Sequence, residues 1–510
     1  MRPVPTEQLR HYVVASTSDT VTPVEVYTGA ELATLPRSGP ADVLTAVERG
    51  RRAQTAWAAT DLADRKAIFA RFHGLLLAHR EELADLVQAE TGKARRDAFE
   101  EIAEPVLVTS YYLRRAGALL RPRRRAGAMP LAVRATELRV PHGVVGVIAP
   151  WNYPLALSMA DAIPALFAGN AVVLKPDSQT ALSPLLAVDL MHRAGLPEHL
   201  IQVVLGDGPV IGAAVVDSTD FVAFTGSTRT GIEVAARAAE RLIGCSLELG
   251  GKNPMIVLDD APLDRAAAIA ARGAFANAGQ LCLSMERIYV PEPTFDAFAK
   301  RLVAVTENLR LGAGYDYGFD VGSLVSAAQL KRVSEHVDDA RAKGARVLSG
   351  GRPRPDLGPY FYEPTVLAEV NPDMLCHTEE TFGPVVSLYP YRTLDEAVLL
   401  ANQSAFGLNA SVLGDARRAA AVAPRLRAGT VNVNDAVNSA YGSTDAPMGG
   451  MRASGLGRRH GAEGLLKYTE AQTVAVQRIP VLGVPRWLPF RVYARVLVGA
   501  LKALRRLRIR

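Results

Sequence analysis

A cysteine and a glutamate 34 positions apart could do acyl chemistry together: Cys282, in Gly279-Gln280-Leu281-Cys282, and Glu248, in Glu248-Leu249-Gly250-Gly251-Lys252. A thiolate attacks carbonyl carbon far better than a hydroxyl does. A carboxylate can then activate the water that releases the bound acyl group. Each residue also has a plainer reading. A cysteine among apolar neighbours is ordinarily packed core, and a glutamate is ordinarily surface. The two glycines after Leu249 point beyond that reading, because they let backbone approach closely and leave room for a mobile side chain.

The elements that must position this pair read as short apolar strands alternating with helices, the pattern of a parallel α/β sheet. Val144 to Ile148 is an apolar strand that breaks into Ala149-Pro150-Trp151-Asn152-Tyr153-Pro154, and Ala171 to Lys175 is a buried strand ending in Lys175-Pro176. Phe221 to Thr225 runs into Gly226-Ser227, which opens a helix through Gly231. A helix N-terminus offers unpaired N–H groups and a positive dipole end, which suits phosphate. A second alternation runs from Met255 to Val433. Before the first lies a helical stretch, Ala41 to Leu120, then a hairpin from Arg121 to Val140, and Gln472 to Gln477 reads as a late strand. Gly206-Asp207-Gly208 imitates a dinucleotide fingerprint, but its third glycine, Gly212, comes one residue late.

With Glu380-Thr381-Phe382-Gly383-Pro384, Pro447-Met448-Gly449-Gly450 and Ser454-Gly455-Leu456-Gly457-Arg458, these motifs resemble the NAD(P)-dependent aldehyde dehydrogenase superfamily, from Val24 to Val476. The resemblance implies an α/β fold: a Rossmann-like parallel-sheet cofactor domain, an α/β catalytic domain and a β oligomerisation arm. The expected division is 1–120 and 142–247, with 449–467 returning, for the cofactor; 248–448 for catalysis; 121–141 and 468–480 for the arm. It further implies Cys282 as nucleophile, Glu248 as base for the hydrolytic water, and the Asn152 amide with the Cys282 N–H as oxyanion donors. Gly226 and Ser227 would approach the pyrophosphate, and Glu380 would hold the nicotinamide ribose with Phe382 nearby. Trp151, Lys175 and Leu249 would complete the cradle. A homodimer or homotetramer is expected. No metal ligands are read.

Lys175-Pro176-Asp177-Ser178, with Arg458-Arg459-His460-Gly461, looks like the NADP-linked succinate-semialdehyde branch. NAD-preferring relatives commonly carry a glutamate at the place of Ser178. Such a carboxylate would repel a 2′-phosphate by ~1 kcal/mol in water, or ~4 kcal/mol at an effective dielectric near 20. NADP is therefore the expected cofactor, with NAD usable; Asp177 should face away from Ser178 if the segment is extended. The branch grips its substrate carboxylate with arginines where this chain has Ala160 and Ala276, and the tunnel positions Ala156, Leu157, Leu281 and Leu283 are apolar. A buried carboxylate needs charged or multiple hydrogen-bond partners. Either the loop from Asp435 to Ala446 brings another donor, or the aldehyde is medium- to long-chain or aromatic.

The 510 residues allow two or three domains. Three cysteines make no disulfide framework, so a reducing, cytoplasmic setting is expected; Cys245 and Cys376 read as structural. Neither an apolar stretch after Met1 nor a run of ~20 apolar residues is present, so no signal peptide or spanning helix is expected. The net charge is +6, yet Arg478 to Arg510 hold nine Arg or Lys and no acid, leaving the body at −3. An acidic body argues against nucleic acid. Arg121-Pro122-Arg123-Arg124-Arg125 reads as a solvated turn. Residues 481–510 read as a basic amphipathic helix, resting on an anionic membrane or packed on protein. A binding protein that kept this fold without the chemistry should have lost Cys282, Glu248 or Asn152, and all three are present.

Overall fold

Runs of β-branched and aliphatic residues with no polar alternation can only be strands buried on both faces. In the computed structural model, which describes residues 6–127, 132–478 and 487–506, they are. Val144–Ile148, Ala171–Lys175 and Phe221–Thr225 are buried at every position. With Ile201–Val203, Gly244–Glu248 and the antiparallel Gly455–Leu456 they form a six-stranded sheet. Its order, from one edge, is 455–456, 244–248, 221–225, 144–148, 171–175, 201–203. The chain leaves 144–148 toward one edge and later returns to its other side, at 221–225. A crevice opens where that direction reverses, at the carboxyl ends of the two strands.

The second sheet has seven strands, with Asn253–Val257 and Met285–Pro291 paired in parallel near its centre and Val385–Tyr391 beside the latter. Only four residues join Glu248, ending a strand of the first sheet, to Asn253, opening one of the second. The carboxyl ends of one sheet therefore meet the amino ends of the other. Helices Pro40–Ala59, Leu62–Ala78, Arg80–Thr91 and Arg95–Leu120 fill the N-terminal region.

The third sheet pairs Val133–Pro141 with Thr469–Gln477 over nine residues and with Arg123–Arg125 on its other side. The late strand thus starts three residues before its expected position. Arg123–Arg125 is an edge strand rather than a turn, a correction with an electrostatic cause. Arg125 Nε donates to Glu137 at 2.6 Å, so a facing carboxylate takes up charge that in sequence looks solvated. Cys376 is buried and Cys245 half-buried, on the strand Gly244–Glu248. The expectations for Met1–Pro5, for residues 128–131, for 479–486 and for 507–510 lie outside the described residues.

Candidate active site

Asn152 sits in the crevice, just past the strand Val144–Ile148, and is 3 % exposed. Its Nδ2 donates to the Gln280 carbonyl at 3.1 Å, and its own carbonyl accepts from Lys93 Nζ at 2.8 Å. Lys93 in turn is ion-paired with Glu101, both fully buried. Glu101 also accepts the N–H groups of Leu155 and Ala156, the first turn after Asn152. A buried charge pair this well satisfied fixes a loop in one geometry, and removing one partner would leave the other stranded.

Cys282 arrives on the opposite wall. The helix Leu263–Phe275 ends, and Asn277, Ala278 and Gly279 follow with φ of 51°, 52° and 71°. A left-handed backbone costs roughly 1–2 kcal/mol per non-glycine residue, so tertiary contacts must hold it. Gly279 supplies one: an added Cβ would overlap the Gly383 carbonyl. The nucleophile loop is therefore seated directly on the Phe382-Gly383 turn. Gln280 accepts from the Val325 N–H at 2.9 Å, and Asn253 Nδ2 donates to the Cys282 carbonyl at 2.7 Å. The thiol is half-buried. Burial, helped by the Glu380 and Glu248 carboxylates, pushes it up to about 12.

Glu248 is 5 % exposed, and neither carboxylate oxygen has a hydrogen-bond partner. Burial raises it to about 7 against the pull of Arg459 and Lys467. A carboxylate so placed is poised near neutrality to take a proton from water. Glu380 is held differently: its Oε1 accepts the Gly251 N–H at 2.8 Å, and a side chain at Gly250 would collide with its Oε2. Phe382 (φ 57°) meets Trp151 edge to face at 5.5 Å. Ser227 caps the helix Thr228–Glu240, its side chain accepting from Thr230 N–H.

Two cavities share the walls so built. One, of about 220 Å³, is lined by Trp151, Gly226, Ser227, Leu249, Glu380 and Phe382. The other, of about 330 Å³, runs between the helix Leu263–Phe275, Leu157, Leu281, Leu283 and the segment 435–441. Asn152, Thr225, Glu248 and Cys282 line both. The first cavity has the aromatic walls, the ribose-sized carboxylate and the adjoining helix N-terminus that a nicotinamide nucleotide needs.

Lys175, Pro176, Asp177 and Ser178 do not reach this centre; they lie past the end of the neighbouring strand. Lys175 is buried, its Nζ donating to the Pro176 carbonyl at 3.3 Å, and burial lowers its pKa. Ser178 Oγ accepts the Gly206 N–H at 3.2 Å, bringing the glycine turn against it. The segment is not extended. Asp177 Oδ1 accepts the Gln179 N–H at 2.9 Å and its carbonyl accepts from Thr180, a local side-chain turn that overrides the expected alternation. Ala156 and Ala160 are fully packed and do not line the larger cavity. Four lining residues had no role in the sequence reading. Thr225 and Arg459 are bonded to each other at 2.9 Å, and Arg265 and Arg272 lie on the helix before Cys282.

The family model for the aldehyde dehydrogenase family matches residues 13–474. The chain belongs to the aldehyde dehydrogenase family. It is an NAD(P)-dependent enzyme that oxidises an aldehyde. It is 51% identical over 484 residues to a Mycobacterium tuberculosis aldehyde dehydrogenase provisionally named succinate-semialdehyde dehydrogenase [NADP(+)] 2, covering 95% of this chain and 93% of that protein. It is 39% identical over 477 residues, 92% of this chain and 88% of the relative, to 4,4'-diapolycopene aldehyde oxidase of a Methylomonas species. Among solved aldehyde dehydrogenases, the NAD-dependent enzyme of Sinorhizobium meliloti superposes with TM-score 0.89 at 35% identity, covering 93% and 94% of the two chains. Betaine aldehyde dehydrogenase of Staphylococcus aureus, solved with NAD+, gives 0.88 at 31%, over 95% and 98%.

Proposed function

We propose that this enzyme oxidises succinate semialdehyde to succinate with NADP, through a thioester on Cys282. The observation that carries the chemistry is the meeting of Cys282, Glu248 and Asn152 on the wall common to both cavities. Cys282 sulfur adds to the aldehyde carbon, and the Asn152 amide with the Cys282 N–H receives the developing oxyanion, worth roughly 3–4 kcal/mol for one well-placed donor. Bound cofactor supplies the hydride acceptor that turns this adduct into a thioester. Glu248 then takes a proton from water, which releases the acid and restores the thiol. Residues 1–120, 142–247 and 449–467 form the cofactor-binding part, 248–448 the catalytic part, and 121–141 with 468–480 the oligomerisation arm of a cytoplasmic homodimer or homotetramer.

Succinate semialdehyde rests on the names of the 51% relatives. A second reading, a longer apolar aldehyde, is favoured by the cavity itself: Leu157, Ile269, Leu281, Leu283, Val437 and Met448 all line it. The two differ in one measurement. A site built for a charged group rejects the analogue lacking it, so succinate semialdehyde should exceed butanal in kcat/KM by at least ~10²-fold. Near-equal values would replace the first reading by the second.

Cofactor choice follows from Ser178. The wild type is expected to favour NADP, and Ser178→Glu to shift the NADP/NAD ratio of kcat/KM toward NAD by at least ~10-fold, equivalent to ~1.4 kcal/mol. A wild type preferring NAD by that margin, or an unmoved ratio in the variant, would remove the argument.

The tail is read as a membrane-surface helix. Phe490–Arg506 is helical and buries none of its residues; Phe490 is 69 % and Leu501 52 % exposed, and Trp487 80 %. Arg491, Arg495, Lys502, Arg505 and Arg506 face no acid within the helix. Among the described residues no helix is long and apolar enough to cross a membrane. Basic residues beside an anionic leaflet contribute about 1 kcal/mol each. The full chain should co-sediment with phosphatidylserine-containing vesicles at low salt, and a chain ending at Gln477 should not. A full chain that stays in the supernatant at low salt would overturn this.

A further inference from the structure

Three arginines line the aldehyde-side cavity, and they differ in what they already hold. Arg459 is buried and committed to Asp161 and Thr225. Arg272 bridges Asp97 at 2.8 Å and Glu100 at 2.5 Å. Arg265 is exposed at the cavity's outer end and makes no hydrogen bond or ion pair among the described residues. Its own acidic neighbour, Asp264, is taken by Arg301 at 2.8 Å, and Asp435 across the cavity accepts from the N–H groups of Ala436 and Ser439.

Spacing places Arg265 on the stripe that faces the channel. Residues 265, 268, 269 and 272 all line the cavity, and they recur at the intervals of one helix face. From residue 265 to residue 276 the rise is about 16 Å, at about 1.5 Å per residue. The five bonds of an arginine stem, each ~1.5 Å, recover at most about 7 Å of that. Succinate semialdehyde holds its two end carbons three such bonds apart, so it cannot touch Cys282 and Arg265 together.

We propose that Arg265 is an anion-binding subsite at the outer end of the channel, selecting longer aldehydes, of about eight carbons or more, whose far end carries a carboxylate. The proposal rests on reading this cavity as the aldehyde channel, and on nothing about the four-carbon substrate. The apolar wall takes the methylene chain, and the guanidinium pairs the terminal acid where Arg459 and Arg272 have no charge to spare. Asp435 and Glu100 keep the subsite from being a general anion trap, so the chain must bring the acid to Arg265 itself.

The test is kcat/KM for ω-oxo acids of four to twelve carbons, each set against the unsubstituted alkanal of equal length, in the wild type, Arg265→Gln and Arg265→Lys. The acid-over-alkanal ratio should rise with length to about 10-fold at eight to ten carbons and fall with added salt. It should collapse toward unity in Arg265→Gln and recover in part in Arg265→Lys. A ratio that ignores length, or one that Arg265→Gln leaves in place, overturns the subsite. Turnover confined to the shortest members, with neither acids nor alkanals of eight carbons oxidised, instead overturns the reading of the cavity as the channel.

Discussion

Replacing Cys282 by alanine is expected to lower aldehyde oxidation by at least ~10⁴-fold, because no other nucleophile stands at the shared wall. The change removes only the sulfur. The Gly279–Gly383 contact and the Asn253 bond to the Cys282 carbonyl are backbone features that alanine retains. NADPH binding, followed by fluorescence titration, should therefore stay within about twofold of the wild type. Oxidation above ~1% of the wild-type rate in the alanine enzyme would remove the thioester route.

Glu248→Gln should separate the two halves of the cycle. The amide matches the carboxylate in shape but cannot take a proton from water, so one equivalent of NADPH should form per active site, followed by turnover slowed ~10²–10⁴-fold. The pH profile carries the same argument. With Glu248 raised to about 7, kcat in the wild type should fall as pH drops through about 7, since only the ionised form is a base. That limb should be missing in the variant. The shift also has a sign for stability. A carboxyl whose folded pKa lies above its unfolded value favours the folded state only while protonated. Its penalty is absent below pH ~4.5, grows between there and about 7, and is complete above, on the order of 3 kcal/mol. Glu248→Gln should thus raise the Tm at pH 8 and leave it unchanged at pH 4. Full steady-state activity, or no burst, would sink the assignment.

What could be seen in the sequence was whatever is written locally. Val144 to Ile148 and Ala171 to Lys175 declare themselves as buried strands because parallel strands carry no polar alternation. Cys282 and Glu248 stand out because glycines flank both, and the structure shows those glycines as sites of forced approach, Gly279 on Gly383 and Gly250 on Glu380. What escaped depends on partners distant in sequence. Nothing near Arg459 announces Asp161, 298 positions away, and nothing near Arg272 announces Asp97. Arg265 differs from its two neighbours only in lacking such a partner. Two local readings failed for a local reason. Asp177 turns back on Gln179, and Glu137 draws Arg123–Arg125 into a strand; in each case one carboxylate outweighs the pattern around it.

The two cavities touch only through Asn152, Thr225, Glu248 and Cys282. In the language of thermodynamic linkage, any effect of bound cofactor on aldehyde affinity must pass through these side chains, and by reciprocity the same factor returns from aldehyde to cofactor. Thr225 extends that contact to Arg459, and through it to the buried Asp161. The enzyme's cooperativity between its two ligands is therefore confined to a few atoms around one sulfur. Substitutions at either outer mouth should alter one affinity and leave the coupling between them as it was.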